Sequence, residues 1–289
     1  MSFGEIELKF RENSKSSYNF DEVTILVNSS DGYSDVIPLF ESAFNEYWPE
    51  NQSNIVINYE SSPLLAYTEE EKAKKTWGAR FLDIVNTIET DFILLLFDDF
   101  ILESKIDEQR ILAALEVLVN DPKGSVFFIN AASLREHIDE PQEDYRILKD
   151  HADYKINSVP ALWRREHLLN FTSKFDSPWS WEVFGTVRTW GSKLNFYSMS
   201  SQENNIFNYD YSRGGAIYRG KWVKPVVEDK IIKYNLDLDI SDRGFVTKTE
   251  RVKRPWSWKL NFLYIGFLSL RFRMFKFLLK AFLEKFESR

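Results

Sequence analysis

The chain of 289 residues contains no cysteine and only three histidines. The missing thiols exclude disulfide bonds, thiolate metal sites and cysteine nucleophiles, and three histidines without ligand spacing argue against a histidine-rich zinc site. Glycine and proline are also scarce, with 11 and 9 residues. Because the apolar fraction is 44%, this composition indicates a globular protein and excludes a disordered chain.

No apolar run reaches the roughly 20 residues that a bilayer-spanning helix needs. The mostly apolar stretch at residues 260–270 is followed at once by the charges of Arg271 and Arg273. The N-terminal residues are polar, with Glu5 and Glu7 among them, and they lack the apolar core of a signal peptide. Together with the missing cysteines, these features predict a protein of the cytoplasm.

Strand-like and helix-like segments alternate over residues 23–130, and this pattern predicts an α/β fold. Thr68 and Glu71 are placed to form a capping box at the start of one long helix. Alternation of this kind indicates βαβ units with right-handed crossovers and a mostly parallel sheet flanked by helices. After residue 130 we expect a charged surface loop or irregular helix at residues 133–153 and short helices after Pro160 and Pro178. Strands are predicted at residues 23–27, 54–59, 92–97 and 126–129, and helices at residues 36–47, 69–88 and 107–119.

Asp98 and Asp99 follow directly on the apolar run at residues 92–97. Such a run indicates a strand buried on both faces, and ligands of open α/β sheets bind at the carboxyl ends of the strands. An unpaired buried charge costs several kcal/mol, so two carboxylates at this point favour a hard divalent cation such as Mg²⁺ or Mn²⁺, and through it a diphosphate. The alternative is that the two residues cap the following turn.

Two glycine-containing stretches later in the chain combine flexible backbone with cations and an aromatic ring. They are residues 213–215, which begin with Arg213, and residues 219–222, which end with Lys221 and Trp222. Backbone N–H groups and positive charge of this kind suit contact with a diphosphate or an acceptor. A hairpin with exposed ends is an equally good interpretation.

Four short segments between residues 21 and 225 form a series. They are the turn at 28–31, the Gly78-Ala79-Arg80 segment, the acidic strand at 91–99 and the Trp181-Glu182 segment that follows Pro178. Their order and spacing resemble the nucleotide-sugar glycosyltransferases of the GT-A type, in particular bacterial family-2-like enzymes of surface polysaccharide assembly. The acidic motif is Asp-Asp-Phe where the family usually has Asp-X-Asp, so one carboxylate or both would contact the metal.

This resemblance implies a GT-A (Rossmann-like) fold and a metal-dependent glycosyltransferase of the hexosyltransferase class. It implies a nucleotide diphosphate sugar as donor, with a UDP-sugar as the expected one, and Mn²⁺ or Mg²⁺ bound by Asp98 and Asp99. Alternative interpretations are a turn for Asp31 and a solvated helix face for Arg80. The implied nucleotide-sugar site consists of Asn28, Ser29, Ser30, Asp31, Arg80 and Asp98.

The resemblance also implies that Glu182 supplies the catalytic carboxylate of an inverting reaction. Its aromatic neighbours would desolvate the carboxyl group and raise its pKa, which makes it a better general base. The alternative is an ordinary first-turn glutamate stabilised by the helix dipole. We regard Asp176 as the reserve base.

The charge is divided unevenly along the chain. From Arg251 onward there are ten basic and two acidic residues, a net charge of +8, which leaves −15 on residues 1–250 of a total of −7. We therefore expect a catalytic domain at residues 1–250, with a nucleotide-sugar half at about 21–130 and an acceptor half at about 131–250. We expect residues 251–289 to be an amphipathic helical tail.

The basic, aromatic tail predicts a peripheral location on the inner face of the cell membrane, at an anionic surface. The alternative is a helix that packs on the body or in a homo-oligomer. A nucleic-acid partner is not expected, since the basic patch would then lie on a folded face.

The leading functional hypothesis is transfer of a sugar to a lipid-linked or growing glycan acceptor. The second is a non-catalytic protein of the same architecture that binds a glycan or a partner. A nucleotidyltransferase ranks last, because residues 28–32 lack the repeated glycines of a phosphate-binding loop.

Overall fold

The computed structural model describes residues 18–132, 144–210, 214–238, 240–247 and 254–287. Its centre is a seven-stranded sheet with the strand order β2-β1-β3-β6-β4-β7-β5, and a small second sheet has the order β10-β9-β8. The strands are β1 (Val23–Asn28), β2 (Asn54–Asn58), β3 (Phe92–Phe97), β4 (Gly124–Phe128), β5 (Tyr145–Ile147), β6 (Ala161–Arg164), β7 (Asn195–Met199), β8 (Ile217–Tyr218), β9 (Lys221–Val223) and β10 (Phe245–Val246).

Eleven α-helices lie in the described part of the chain. A π-helical turn, Trp181–Gly185, joins α6 to α7. The helices are α1 (Ile37–Tyr47), α2 (Glu69–Lys74), α3 (Trp77–Thr87), α4 (Glu108–Asn120), α5 (Arg165–Asn170), α6 (Pro178–Ser180), α7 (Thr186–Thr189), α8 (Lys224–Lys233), α9 (Ile240–Arg243), α10 (Trp256–Leu270) and α11 (Arg273–Glu287).

The large sheet is mixed but mostly parallel, which confirms the predicted α/β class. Strands β2, β1 and β3 are parallel neighbours, and β4 is parallel to β7. Strand β6 runs antiparallel between β3 and β4, and β5 is antiparallel to β7. The carboxyl ends of β1, β3 and β4 therefore lie at one edge of the sheet, together with the beginning of β6.

Strands β1 and β3 are adjacent parallel strands of the large sheet. Every residue in both strands is buried. The chain passes from β1 to β2 in one direction and from β2 to β3 in the other, so right-handed crossovers place α1 and α3 on opposite faces of the sheet. Because helices cover both faces, β3 consists of apolar residues alone, and β1 is apolar except for Thr24 and Asn28.

The prediction of one long helix at residues 69–88 is wrong, because this segment forms two helices, α2 and α3. The Thr68–Glu71 capping box is confirmed, but Thr76 has an extended backbone and begins a second helix by accepting a hydrogen bond from the N–H of Ala79. Gly78 allows α3 to begin at this point in the chain. A Cβ atom there would lie 2.1 Å from the carbonyl oxygen of Ser173, so α3 packs against residues 173–176 more closely than any other residue would allow.

Strands β5, β6, β7 and β10 were not predicted, and β8 and β9 were expected only as the hairpin alternative for residues 219–222. Ala161–Arg164, which was expected to lead into a helix, is the antiparallel strand β6, and Tyr145–Ile147 is an edge strand within the predicted loop. Residues 133–143 of that loop lie outside the described residues. Strand β6 is short, but Leu162 and Trp163 are fully buried between β3 and β4.

The predicted helical tail is present as a hairpin of α10 and α11. Its inner side packs on the body, where Leu270 and Met274 form a buried cluster with Phe184 and Val187. Within the residues that the structure describes, no helix has the length and apolar character needed to cross a membrane.

Candidate functional site

The turn after β1 and the end of β3 meet at Asp98. This carboxylate is buried, and the Ser29 hydroxyl donates to its Oδ2 at 2.5 Å. The Asp98 backbone N–H donates to the carbonyl of Asn28, with an N···O distance of 3.3 Å. The structure thus brings the adjacent residues Asn28 and Ser29 into contact with Asp98, which lies 69 residues after Ser29 in the sequence.

Asp99 lies against the loop that precedes β8. Gly215 in this loop has a φ of +93°, and a Cβ atom there would lie 3.0 Å from the Asp99 Oδ2 atom and 2.8 Å from the Asp99 carbonyl oxygen. The N–H of Ala216 donates to the same carbonyl at 2.7 Å. Only glycine fits this conformation and this approach without strain. The predicted glycine stretch therefore borders the acidic pair, although Arg213 itself lies outside the described residues.

The two adjacent carboxyl groups resist ionisation. Burial raises the pKa of Asp98 to about 6, although the Ser29 hydroxyl and the Arg243 guanidinium partly oppose this change. Burial raises the pKa of Asp99 well above its ordinary value, and the negative charge of Asp98 raises it further. Positive charge placed beside this pair would favour the ionised form of both groups.

The residues present fit a hard divalent cation that a ligand helps to hold. Within the part of the chain that the structure describes, no three Asp, Glu, His or Cys side chains form a metal cluster. Two carboxylates alone make an incomplete shell, and Mg²⁺ is usually bound in this way, by one or two carboxylates together with substrate phosphates and water. Asp98 and Asp99 could therefore hold Mg²⁺ or Mn²⁺ in the presence of a diphosphate.

Arg80 braces the turn after β1. It is 3% exposed, it forms an ion pair with Glu60, and its Nη2 atom donates to the Ser29 carbonyl at 3.2 Å. Glu60 in turn accepts a hydrogen bond from the backbone N–H of Asp31 at 2.6 Å. The interpretation of Arg80 as part of a solvated helix face is therefore wrong. Burial lowers the pKa of its guanidinium.

The remaining polar residues of this turn lie on its exposed side and on its buried side. The Asp31 carboxylate accepts hydrogen bonds from the N–H and the hydroxyl of Ser61. The side-chain amide of Asn58 donates to Asn28 Oδ1 at 2.8 Å, and both asparagines are buried. Ser30 is half-buried and Asp31 is exposed. The turn is therefore held by hydrogen bonds on its buried side and is exposed to solvent on its other side.

Arg243 and Tyr33 belong to this site and were not predicted. Arg243 contacts both carboxylate oxygens of Asp35 and the carbonyl of Gly32, and its Cζ atom lies 4.6 Å from the centroid of the Tyr33 ring. Its charge lowers the pKa of Asp98. Burial raises the pKa of Tyr33, and the charges of Asp98 and Asp99 raise it further, whereas Arg243 opposes this change. The only sequence signal was an Asp-Arg-Gly turn far from the acidic motif, which is too common to single out a site.

Glu182 lies in the π-helical turn between α6 and α7. Its Oε1 atom accepts hydrogen bonds from the N–H and the hydroxyl of Ser158, both at 2.8 Å. Ser158 precedes β6, where Ala161 pairs with Leu95 of β3, so it lies toward the edge of the sheet that carries Asp98. Burial raises the pKa of Glu182, as the sequence predicts, although the bonds from Ser158 oppose this change.

Asp176 does not suit the role of a reserve base. Its side chain has no exposed surface, and it forms an ion pair with Arg188 while accepting a hydrogen bond from the Ser269 hydroxyl at 2.9 Å. The N–H of Ser173 also donates to this carboxylate at 2.8 Å. The group is occupied by structural contacts that join the body to α10, and a substrate cannot reach it.

Trp222 and Lys221 form part of a hairpin. Strands β8 and β9 are antiparallel, and the turn residues Arg219 and Gly220 both have positive φ. The hairpin interpretation of this segment is therefore confirmed. Trp222 is fully buried, so its indole cannot stack on an acceptor, whereas Lys221 is exposed.

No protein-family model and no curated protein matches the sequence. Solved structures with a related arrangement include TarS of S. aureus, residues 1–349, at 11% identity over 76% of this chain and 68% of that chain, with a TM-score of 0.36. A TarS structure in complex with UDP-GlcNAc matches at 12% identity and a TM-score of 0.34, over 76% of this chain and 69% of that chain.

Two further similar structures are those of a cytidylyltransferase and a galactosyltransferase. A cytidylyltransferase from Leptospira borgpetersenii matches at 15% identity over 81% of this chain and 99% of that chain, with a TM-score of 0.38. The galactosyltransferase LgtC, in complex with donor and acceptor sugar analogues, matches at 10% identity over 63% and 68%, with a TM-score of 0.32. Similarity at this level assigns no reaction to the chain.

Proposed function

We propose that the chain is a glycosyltransferase that moves a sugar from a nucleotide diphosphate sugar to a hydroxyl group of a glycan or lipid-linked acceptor. One observation carries this proposal. The adjacent carboxylates of Asp98 and Asp99 lie at the end of a central strand, between the turn after β1 and the loop at Gly215. This arrangement suits a ligand that contains both a nucleobase and a diphosphate.

The donor would lie along the turn after β1, with its diphosphate beside the acidic pair. Ser29 and Arg80 hold this turn in place. Asp31 is exposed on the turn, where the nucleoside would contact it. A divalent cation bound with the diphosphate supplies Lewis-acid stabilisation of the charge that develops on the leaving group. The guanidinium of Arg243, which already lowers the pKa of Asp98, adds positive charge on the same side.

Glu182 is the proposed general base. Ser158 holds one carboxylate oxygen in place through two hydrogen bonds. Because burial raises the pKa of Glu182, its carboxylate accepts a proton from the acceptor hydroxyl more readily than an exposed glutamate would. An inverting displacement requires this base on the face of the sugar opposite the leaving diphosphate.

A thermal-shift panel of nucleotides and nucleotide sugars, with and without Mn²⁺, tests donor binding. We expect a rise in melting temperature with nucleotide diphosphates that depends on Mn²⁺, and we expect UDP-sugars to be effective. No stabilisation by any member of the panel would contradict the proposal.

Once a donor that binds is known, the role of Glu182 as general base can be tested. In Glu182→Gln the amide is nearly isosteric, so donor stabilisation should persist while turnover falls by about 10²–10⁴-fold. Glu203→Gln, at an exposed glutamate of the same half, is the matched control and should keep full turnover. Donor binding without hydrolysis or transfer in the wild-type protein would favour a non-catalytic binding protein.

A further inference from the structure

The outer side of the α10–α11 hairpin is apolar. Each helix presents a stripe of exposed apolar side chains at helical spacing, and the stripes meet where the rings of Phe267 and Phe275 lie 5.9 Å apart between centroids. Phe272, in the turn between the helices, is 87% exposed. We call this set the outer apolar surface; its members are Trp256, Leu260, Tyr264, Phe267, Leu268, Phe272, Phe275, Leu278, Leu279, Phe282 and Leu283.

The hairpin is fixed to the body by its opposite side, so the outer apolar surface cannot fold inward. A Cβ atom at Gly266 would lie 2.8 Å from the ring of Phe184, which shows how closely α10 packs there. The Ser269 hydroxyl donates to buried Asp176, and the Lys280 Nζ atom donates to Asp153 Oδ1 at 2.8 Å. Soluble monomers rarely expose a contiguous apolar patch of this kind.

Positive charge borders the same surface. Arg254, Lys259, Arg271 and Lys276 are exposed on the hairpin, and the Lys259 Nζ atom lies 4.6 Å from the centroid of the Trp256 ring. Residues from 251 onward carry +8, whereas the rest of the chain carries −15. Two hairpins packed face to face would place these cations against each other. A partner with an apolar interior and an anionic boundary would accommodate both the apolar side chains and the cations of the hairpin.

We propose that the outer apolar surface binds the anionic face of a lipid membrane and lies in the interface without crossing it. Each helix has 15 residues, which is too short to span a bilayer. The π-helical turn that carries Glu182 is continuous with the segment against which α10 packs. An acceptor anchored in the membrane would therefore be presented beside Glu182; this consequence for the acceptor rests on the proposed function, whereas membrane binding does not.

Co-sedimentation of the full chain with phospholipid vesicles tests the proposal. We expect binding to vesicles that contain an anionic phospholipid and weaker binding to vesicles of phosphatidylcholine alone. High salt should weaken the first interaction without abolishing it, because only the electrostatic part is screened. The double variant Phe272→Glu/Phe275→Glu should bind the anionic vesicles about tenfold or more weakly, since two exposed rings no longer enter the interface.

Ile232→Glu is the matched control, because Ile232 is 74% exposed on α8 and lies outside the outer apolar surface. Its vesicle affinity should equal that of the wild type. The double variant alters only exposed side chains, so its melting temperature should be unchanged. If the wild-type chain stays in the supernatant with anionic vesicles, the proposal is wrong; light scattering that then shows a dimer, lost in the double variant, would identify the surface as a subunit interface. Neither result bears on donor binding, which the nucleotide panel measures separately.

Discussion

Substitution of Asp98 by asparagine should stabilise the protein at neutral pH although it removes a proposed metal ligand. In the native protein the carboxyl of Asp98 is buried beside Asp99, and its pKa is raised from an ordinary value of 3.8 to about 6. Ionisation of this group therefore costs folding free energy. Asparagine does not ionise, and its Oδ1 atom can still accept the hydrogen bond from Ser29.

The linkage between proton binding and folding gives the size and the pH dependence of this change in unfolding free energy. A raised native pKa means that the folded protein binds more protons than the unfolded chain between pH 3.8 and about 6. The contribution of Asp98 is full below pH 3.8 and is lost as the pH rises through about 6, and it corresponds to about 3 kcal/mol of unfolding free energy. The Asp98→Asn variant should thus be more stable than the wild type at pH 8, by up to about 3 kcal/mol, and this advantage should disappear at low pH.

Urea unfolding of both proteins at a series of pH values between 4 and 8 measures this difference. A saturating concentration of Mn²⁺ with nucleotide diphosphate should raise the stability of the wild type at pH 8 and should have a much smaller effect on Asp98→Asn. The reasoning is refuted if the variant is less stable than the wild type at pH 8, or if the difference does not change with pH.

Three further predictions concern the glycine loop, the buried ion pair and the proposed base. Gly215→Ala should lower the unfolding free energy by about 1–3 kcal/mol, measured with urea, because φ is +93° and the added methyl group meets Asp99. Arg188→Met should cost about 3–5 kcal/mol in the same assay, because it leaves Asp176 buried without its partner. The transfer rate should fall as the pH drops through a pKa above 4.5, the ordinary value for Glu182, since the proton acceptor must be ionised; a rate that is constant through this range would exclude Glu182 as the base.

The central strands and the acidic pair could be predicted from sequence because the signals are local. Strands β1 and β3 are buried on both faces, and this burial favours the mostly apolar sequences that both strands show. Asp98 and Asp99 directly follow one of these runs, so their position at the edge of the sheet depends on a single strand. The raised pKa of Glu182 could likewise be predicted from its aromatic neighbours, of which Trp181 and Phe184 are fully buried.

The errors concern residues whose environment depends on distant parts of the chain. Asp176 is made inaccessible by Arg188 and by Ser269 of α10, and neither contact can be read from the sequence around it. Strand β6 is defined by its neighbours β3 and β4 and not by its own short pattern. Arg243 belongs to the site through its contacts with Gly32 and Asp35, which lie 211 and 208 residues before it in the sequence.

Titration calorimetry of a nucleotide diphosphate into the protein, with and without Mn²⁺, tests the central claim most directly. We expect binding that requires Mn²⁺ in the wild type and is lost in Asp99→Ala, whereas the exposed-site control Glu203→Gln should bind like the wild type. Equal affinity of the wild type and Asp99→Ala, in both the presence and the absence of Mn²⁺, would contradict the assignment of Asp98 and Asp99 as the site that holds the donor through a cation.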